Sequence, residues 1–331
     1  MLAVRCHEWM PYQQLAIEDV PVPAVGPGQV RIAVHYAGMS FATSLVTMGR
    51  YQRKPPRPFT PGSEVAGVIS AVGPGVSGLA IGDRVCAGLD WGGHAEAAVA
   101  TAMTVYPIPD SLPFDLAPQF PLSYGTAYAA LAWRAAVRPG ETVLIHGAAG
   151  AVGLAAVELA KAMGARVIAT AASEARRALA VAHGADHAVA LSLDSIRAVA
   201  PDGVDVVFDP VGGDTFDLSL RCVATSGRIL VIGFAGGRVQ QIPANILLVK
   251  DVTVLGFNYG KYIGWGRVDE RARHEPAVRA AMRQMFAWYG EGRLRPTTSH
   301  RFPLAQFRDA MAAVLDRQGM GKVVLAMPAA G

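Results

Sequence analysis

Charge, cysteine and long apolar runs are all scarce in this 331-residue chain, and each scarcity closes a class of explanation. Charged residues make up 17 % against 52 % hydrophobic, so there is material for a large core and no basis for disorder. No apolar run reaches the roughly 18 residues that a membrane span needs. The opening "MLAVRCHEWMPYQQ" turns polar too soon for a secretory signal. Three cysteines, Cys6, Cys86 and Cys222, are scattered and odd in number, which fits a reducing cytoplasm better than a disulfide framework. A net charge of +4 without a long basic run argues against nucleic acid as a partner. The length suits two domains better than one.

What is present falls into two rhythms. The first ~110 residues are rich in Gly and Pro and read as short strands, among them "QVRIAVHYAG", "EVAGVISAVG" and "GDRVCAGL". From about Leu122, apolar runs ("TVLIH", "ARVIAT", "HAVAL", "VDVVFD", "GRILVIG", "DVTVLGF") alternate with helix-like segments, the pattern of a doubly wound parallel sheet covered on both faces. The alternation stops near Tyr259. The tail then predicts a helix over 275–289, another over 304–316, and a closing strand "KVVLA". The expected organisation is a β-rich domain of residues 1–120 and 260–331 around an inserted α/β domain of residues 121–259.

Between "TVLIH" and its helix, Gly147, Gly150 and Gly153 stand three apart, and Ala148 opens the pattern A-x-G-x-x-G. Gly150 would let backbone approach a pyrophosphate, and Gly153 would let helix and strand pack closely. Helix-opening N–H groups at Ala149, Gly150, Ala151 and Val152 favour an anion. An NAD-preferring site carries Asp or Glu about 20 residues on, to hold the ribose 2′-OH. Here the second strand ends in Ala171-Ala172-Ser173, followed by Arg176 and Arg177. Small residues leave room for a 2′-phosphate and a guanidinium grips it, so NADPH is expected, with Ser173 and Arg176 at the phosphate. The other reading makes both arginines the wet face of a helix.

The chain resembles the medium-chain dehydrogenase/reductase superfamily, most closely its zinc-free, zeta-crystallin-like quinone oxidoreductase branch. The resemblance runs nearly end to end and rests on "RKPPRPFTPGSEVAGVISAVG", "PLSYGTAYAAL", "VLIHGAAGAVGLAA", "VVFDPVGGD", "GRILVIGFAGG" and "GKVVLA". It implies a GroES-like catalytic domain, a Rossmann domain, a nicotinamide held in the cleft between them, and a homodimer. Zinc-dependent members place Cys and His where this chain has Ser40 and Ser63, so no metal is expected although Glu64 remains.

Without a Lewis acid, the resemblance implies hydride transfer to an acceptor that delocalises charge itself, a quinone or enone. It places Ser40, Thr43, Tyr51, Tyr124 and Thr126 at the cleft, with Ser40 and Thr126 near the nicotinamide. Tyr51 is then the phenol that orients or protonates the acceptor, or else an aromatic whose hydroxyl simply meets water. Phe234, Phe257 and Asn258 follow late strands and are expected to line the nicotinamide half, the aromatics having core packing as their alternative. Lys322 lies near the cofactor by the same resemblance. Close relatives often read "NPVD" where this chain has Ser40-Phe41-Ala42-Thr43, and a Tyr that helps hold the 2′-phosphate is Leu191 here. Asp209, before Pro and Gly, reads as a turn-shaping residue. Two alternatives remain open. One is an enoyl thioester (short acyl-CoA) reductase, for which Arg50, Arg53, Lys54 and Arg57 would attract an acidic carrier. The other is a non-catalytic NADPH-binding protein.

Overall fold

The computed structural model describes residues 1–328, which divide into two compact units. One unit comprises Met1–Leu122, Gly260–Phe286 and Pro296 onward; the other comprises Ser123–Tyr259 and Ala287–Arg295. The inserted unit therefore takes residues 287–295 from the tail that the sequence assigned to the first domain.

The first unit opens with a two-stranded sheet, β1 (Leu2–Arg5) against β2 (Ala16–Asp19). There follow β3 (Gln29–Gly38), α1 (Phe41–Thr47), β4 (Glu64–Val72), β5 (Arg84–Gly88), β6 (Ala97–Thr101) and β7 (Val105–Pro107). In β3, Val30, Ile32 and Val34 are buried while Arg31 and Ala33 are only partly so; that alternation gives the strand one core face.

The second unit is built from β8 (Thr142–Ile145), β9 (Arg166–Thr170), β10 (His187–Val189), β11 (Val204–Asp209), β12 (Val223–Val231) and β13 (Thr253–Gly256). They form one parallel sheet in the order β10-β9-β8-β11-β12-β13. Its helices are α2 (Gly125–Tyr128), α3 (Ala151–Ala162), α4 (Glu174–Ala182), α5 (Leu193–Val199), α6 (Asp214–Cys222) and α7 (Ala244–Lys250). The central strands lack alternation: Val143, Leu144, Ile145, Val206, Val207 and Phe208 are all fully buried, as strands covered on both faces require.

The chain returns through α8 (Arg271–Gly290), β14 (Thr298–Pro303), α9 (Phe307–Leu315) and β15 (Lys322–Ala326). These complete a sheet in the order β14-β15-β3-β4-β5-β7, with β6 also on β3. The tail helix is longer than the predicted 275–289, because its first turn is polar and carries no apolar period. The segment predicted as one helix over 304–316 is a short 3-10 turn, Leu304–Gln306, running into α9.

Candidate active site

In the second unit most of the residues the sequence singled out for the cofactor stand where the parallel strands end. The turn after β8 is tied to the end of β9, the Ala148 N–H donating to the Thr170 carbonyl at 3.2 Å. Gly147 has φ 58°, a left-handed conformation that glycine adopts without strain. A Cβ at Gly153 would overlap the Gly147 carbonyl, so only glycine lets α3 start this close to the strand. Gly150 is the N-cap of α3 and no side chain caps it. No side chain therefore meets the first N–H groups of α3, at Ala151 and Val152, while the Gly150 N–H donates to the Gly147 carbonyl at 3.0 Å; uncapped helix-opening donors beside the bare backbone of Ala149 and Gly150 are what a pyrophosphate requires. The residues present fit a dinucleotide.

Ser173 is the N-cap of α4, its Oγ accepting from the Arg176 N–H at 3.4 Å. Arg176 is half-buried, and Arg177 Nη1 donates to the carbonyls of Ala171 and Ala172 at 3.2 and 3.1 Å. The strand end therefore carries a guanidinium and two small residues rather than a carboxylate. Phe234 is 43 % exposed on the turn after β12, with its ring edge over Gly212, so it is not a core residue. Phe257 is half-buried and Asn258 exposed directly after β13, and Thr126 is half-buried in α2. Asp209 shapes its turn as its sequence context suggests: Oδ1 accepts from the N–H groups of Val211 (2.8 Å) and Gly212 (2.9 Å).

Tyr124 is placed differently from the others. Its hydroxyl is buried and donates to Glu158 Oε2 at 2.6 Å, well inside the unit. Glu158 lies in the middle of α3, and the same oxygen accepts from the Arg295 N–H at 2.9 Å while His183 Nδ1 pairs with Oε1. A lone acid in "AVELAKA" was the visible signal for this cluster.

In the first unit, Ser40 caps α1, and its Oγ lies 3.0 Å from Thr43 Oγ1. Thr43 and Tyr51 line a pocket that is partly open to solvent. Its apolar wall is Val46, Pro55, Phe59, Pro61, Trp91 and Trp265; its polar groups include Ser63, Arg53 and Asp90. Burial pushes the Tyr51 phenol up, against a smaller opposing hydrogen bond from Gln52, so it stays protonated at neutral pH. Asp90, Trp91 and Trp265 were not singled out from sequence. Lys322, expected at the cofactor, is buried and paired with Glu64, which is itself 1 % exposed. Burial raises the Glu64 carboxyl and the Lys322 ammonium opposes it.

The zinc-binding dehydrogenase family matches residues 151–273, and the alcohol dehydrogenase GroES-like domain family matches residues 26–110. "Quinone oxidoreductase-like protein 2" of Rattus norvegicus is 38% identical, over 95% of this chain and 89% of the relative. The chain belongs to the quinone oxidoreductase branch of the medium-chain dehydrogenase/reductase superfamily. Within that branch it is also similar to the quinone oxidoreductase of Rattus norvegicus, at 34% identity over 98% of this chain and 97% of the relative. The quinone oxidoreductase of Thermus thermophilus, solved alone and with NADPH, superposes with a TM-score of 0.84 at 35% identity, covering 98% of this chain and 100% of that one. The first unit of this quinone oxidoreductase relative is thus GroES-like and the second Rossmann-like.

One matched family is named for zinc, and the donor set here does not fit that metal. Among the described residues no group of three His, Cys, Asp or Glu side chains is gathered to hold an ion. Ser63 lines the pocket, Glu64 is held by Lys322, and His94 is a fully buried structural residue. Among the described residues, too, no helix is long and apolar enough to cross a membrane.

Proposed function

We propose that this member of the branch is an NADPH-dependent, zinc-independent reductase of quinones or other α,β-unsaturated carbonyls. The observation that carries the reading is the aromatic pocket presenting the Tyr51 phenol and the Thr43 and Ser63 hydroxyls, with no metal-ligating cluster beside it among the described residues. Bound NADPH supplies the hydride. The chain's own residues do the rest. The uncapped start of α3 offers N–H donors to the diphosphate, and the acid-free end of β9, with its arginines, tolerates the 2′-phosphate. Phe59, Trp91 and Trp265 exclude water around a flat acceptor. The protonated Tyr51 hydroxyl donates to the carbonyl oxygen where negative charge develops. A quinone taking one hydride and one proton leaves as the hydroquinone. That the Thermus relative was solved with NADPH supports the cofactor assignment.

The enoyl thioester alternative draws less support from the basic loop than its sequence suggests. Arg53 is bound to Asp90 at 2.7 Å, and the Arg57 guanidinium is stacked over Trp9 at 4.8 Å, so two of its four cations are engaged. An acceptor screen that follows loss of reduced-nicotinamide absorbance tests the assignment. NADPH oxidation driven by neutral quinones or enones, faster than with NADH, is expected. Faster turnover of short enoyl-CoA would transfer the assignment to the thioester reaction. NADPH binding without oxidation by any acceptor would leave a binding protein. We further propose a homodimer joined through the free edge of β13.

A further inference from the structure

Two opposite charges meet on the wall of the aromatic pocket, and two more stand directly behind them. Asp90 Oδ1 accepts from Arg53 Nη1 at 2.7 Å and from Arg271 Nη2 at 2.9 Å. Arg271 Nε donates in turn to Asp269 Oδ1 at 2.9 Å. Two guanidiniums therefore face two carboxylates, and the cluster carries no net charge. Burial alone would raise the Asp90 carboxyl, but Arg53 and Arg271 outweigh it and hold it below the ordinary carboxylate range.

The cluster is also held in place sterically. The Arg53 guanidinium lies 5.2 Å from the Trp91 ring centre, stacked as well as ion-paired. Arg271 is 8 % exposed, and its guanidinium packs against Gly264, whose φ of 89° favours glycine and where a Cβ would overlap the guanidinium as placed. The neighbour of that glycine, Trp265, lines the pocket. No cation other than Arg53 is among the described residues of the lining.

We infer that Asp90 is a charge lock: with Arg53 and Arg271 both neutralised, the pocket accepts an uncharged planar ring and rejects acceptors that carry negative charge. The inference rests on the reading of this pocket as the acceptor site and narrows its substrate class. An anion entering here loses hydration, meets a carboxylate, and finds no unpaired cation to compensate it. An asparagine at 90 keeps the shape and removes the charge, leaving the wall positive. Anionic acceptors then gain. Losing Arg53 instead leaves the wall more negative, so discrimination widens.

The test uses the purified full chain and two unreactive probes, naphthalene-2-carboxamide and naphthalene-2-sulfonate, measured by isothermal titration calorimetry. Initial rates with NADPH and 1,4-naphthoquinone or its 2-sulfonate are measured in parallel. The wild-type chain is expected to prefer the neutral member of each pair by roughly tenfold or more, one uncompensated charge being worth about that much at a partly solvated site. Asp90→Asn should shift the preference toward the sulfonate by at least about tenfold, Asp90→Glu should restore it, and Arg53→Gln should move it the opposite way. A merely structural Asp90 would weaken both probes together and leave the ratio alone. A preference unchanged in both Asp90→Asn and Arg53→Gln overturns the lock, as does a wild-type chain that takes the sulfonate as well as the amide. Should Asp90→Asn fail to fold, Arg53→Gln decides by itself. Should no quinone be reduced and neither probe bind, the acceptor reading falls rather than the lock.

Discussion

Tyr124 donates to Glu158 at 2.6 Å inside the Rossmann-like unit, and both side chains are almost fully buried. The phenol therefore supports α3 from within, donating to a buried carboxylate that also accepts from the Arg295 N–H and pairs with His183. Burial, with the Glu158 carboxylate reinforcing it, keeps the Tyr124 hydroxyl well above its ordinary pKa and so firmly protonated. Tyr124→Phe leaves Glu158 one donor short, at an expected cost of about 1–3 kcal/mol in stability. Thermal unfolding should show that loss while NADPH affinity changes little. An affinity loss without a drop in melting temperature would return Tyr124 to the cofactor site.

Two buried histidines make stability depend on pH. His94 Nε2 lies 3.3 Å from the Gly38 carbonyl, which can only accept, so His94 Nδ1 accepts from the Tyr12 hydroxyl at 2.7 Å. In the second unit the Ser219 hydroxyl donates to the Thr215 carbonyl and so accepts from His146 Nε2; His146 Nδ1 then accepts from Thr170. Both rings are neutral, burial pushing His94 down to about 4 and His146 to about 3. An unfolded histidine takes up its proton near pH 6.5. As pH falls below that value the unfolded chain binds protons the fold refuses, so stability falls, until about pH 4 for His94 and pH 3 for His146. Each ring contributes a slope of at most about 1.4 kcal/mol per pH unit in its window. Denaturant melts at pH 7, 6 and 5 should show this decline. Native-state NMR with assigned histidine resonances should show that His94 and His146 do not titrate above pH 5; either of these two rings titrating near 6.5 would refute the assignment.

Cofactor choice is expected to turn on the end of β9. Ala172 is exposed there, two residues past the strand, and its carbonyl receives Arg177 Nη1. Ala172→Asp sets a carboxylate against a 2′-phosphate and offers a partner to a ribose hydroxyl. NADPH should bind at least about tenfold more weakly, with NADH unchanged or tighter, as one uncompensated like-charge contact implies. Fluorescence titration of both cofactors measures it. Equal losses for the two would show that the 2′-phosphate lies elsewhere.

Legibility followed the range over which the information is local. Strands β8 and β11 were readable because burial on both faces writes an unbroken apolar run, and Asp209 because a turn is decided within three residues. Hydroxyls were ambiguous for a local reason too. Ser40 and Ser173 each stand before a helix, where the same residue type serves as an N-cap, and capping is what both do. The Asp90 cluster was not readable at all. Arg271 is 181 residues from Asp90, and Trp265 reaches the pocket from an irregular loop that has no period to betray it. Lys322 marks a related limit: nothing in "GKVVLA" announces its ion pair with Glu64, 258 residues away in the chain.

Tyr51→Phe isolates the proposed proton or hydrogen-bond donor. Burial raises this phenol, so at pH 6–9 it is neutral and the rate should carry no ionisation from it. Removing one donor to developing oxyanion charge costs about 10²-fold in turnover. The loss should fall on kcat, with KM nearly constant, because an aromatic ring still fills the wall. An unchanged rate constant would relegate Tyr51 to shaping the pocket.

The edge of the Rossmann-like sheet gives the last prediction. β13 ends the strand order with one side unpaired, and α7 enters it with Leu248 83 % and Val249 78 % exposed. Among the described residues those are the most exposed large apolar side chains. An open strand edge beside bare leucine and valine is a hazard unless another copy covers it. A twofold axis at β13 would pair the two edges antiparallel and extend each sheet into the other. Sedimentation velocity should therefore show a dimer at micromolar concentration. Leu248→Glu with Val249→Glu should shift it toward monomer while far-UV circular dichroism stays constant, since α7 buries no residue of its own within the chain. A wild-type monomer at high concentration would mean that the edge is left open and that lysine or glycine near it, Lys250 and Gly256, suffices to keep it from pairing.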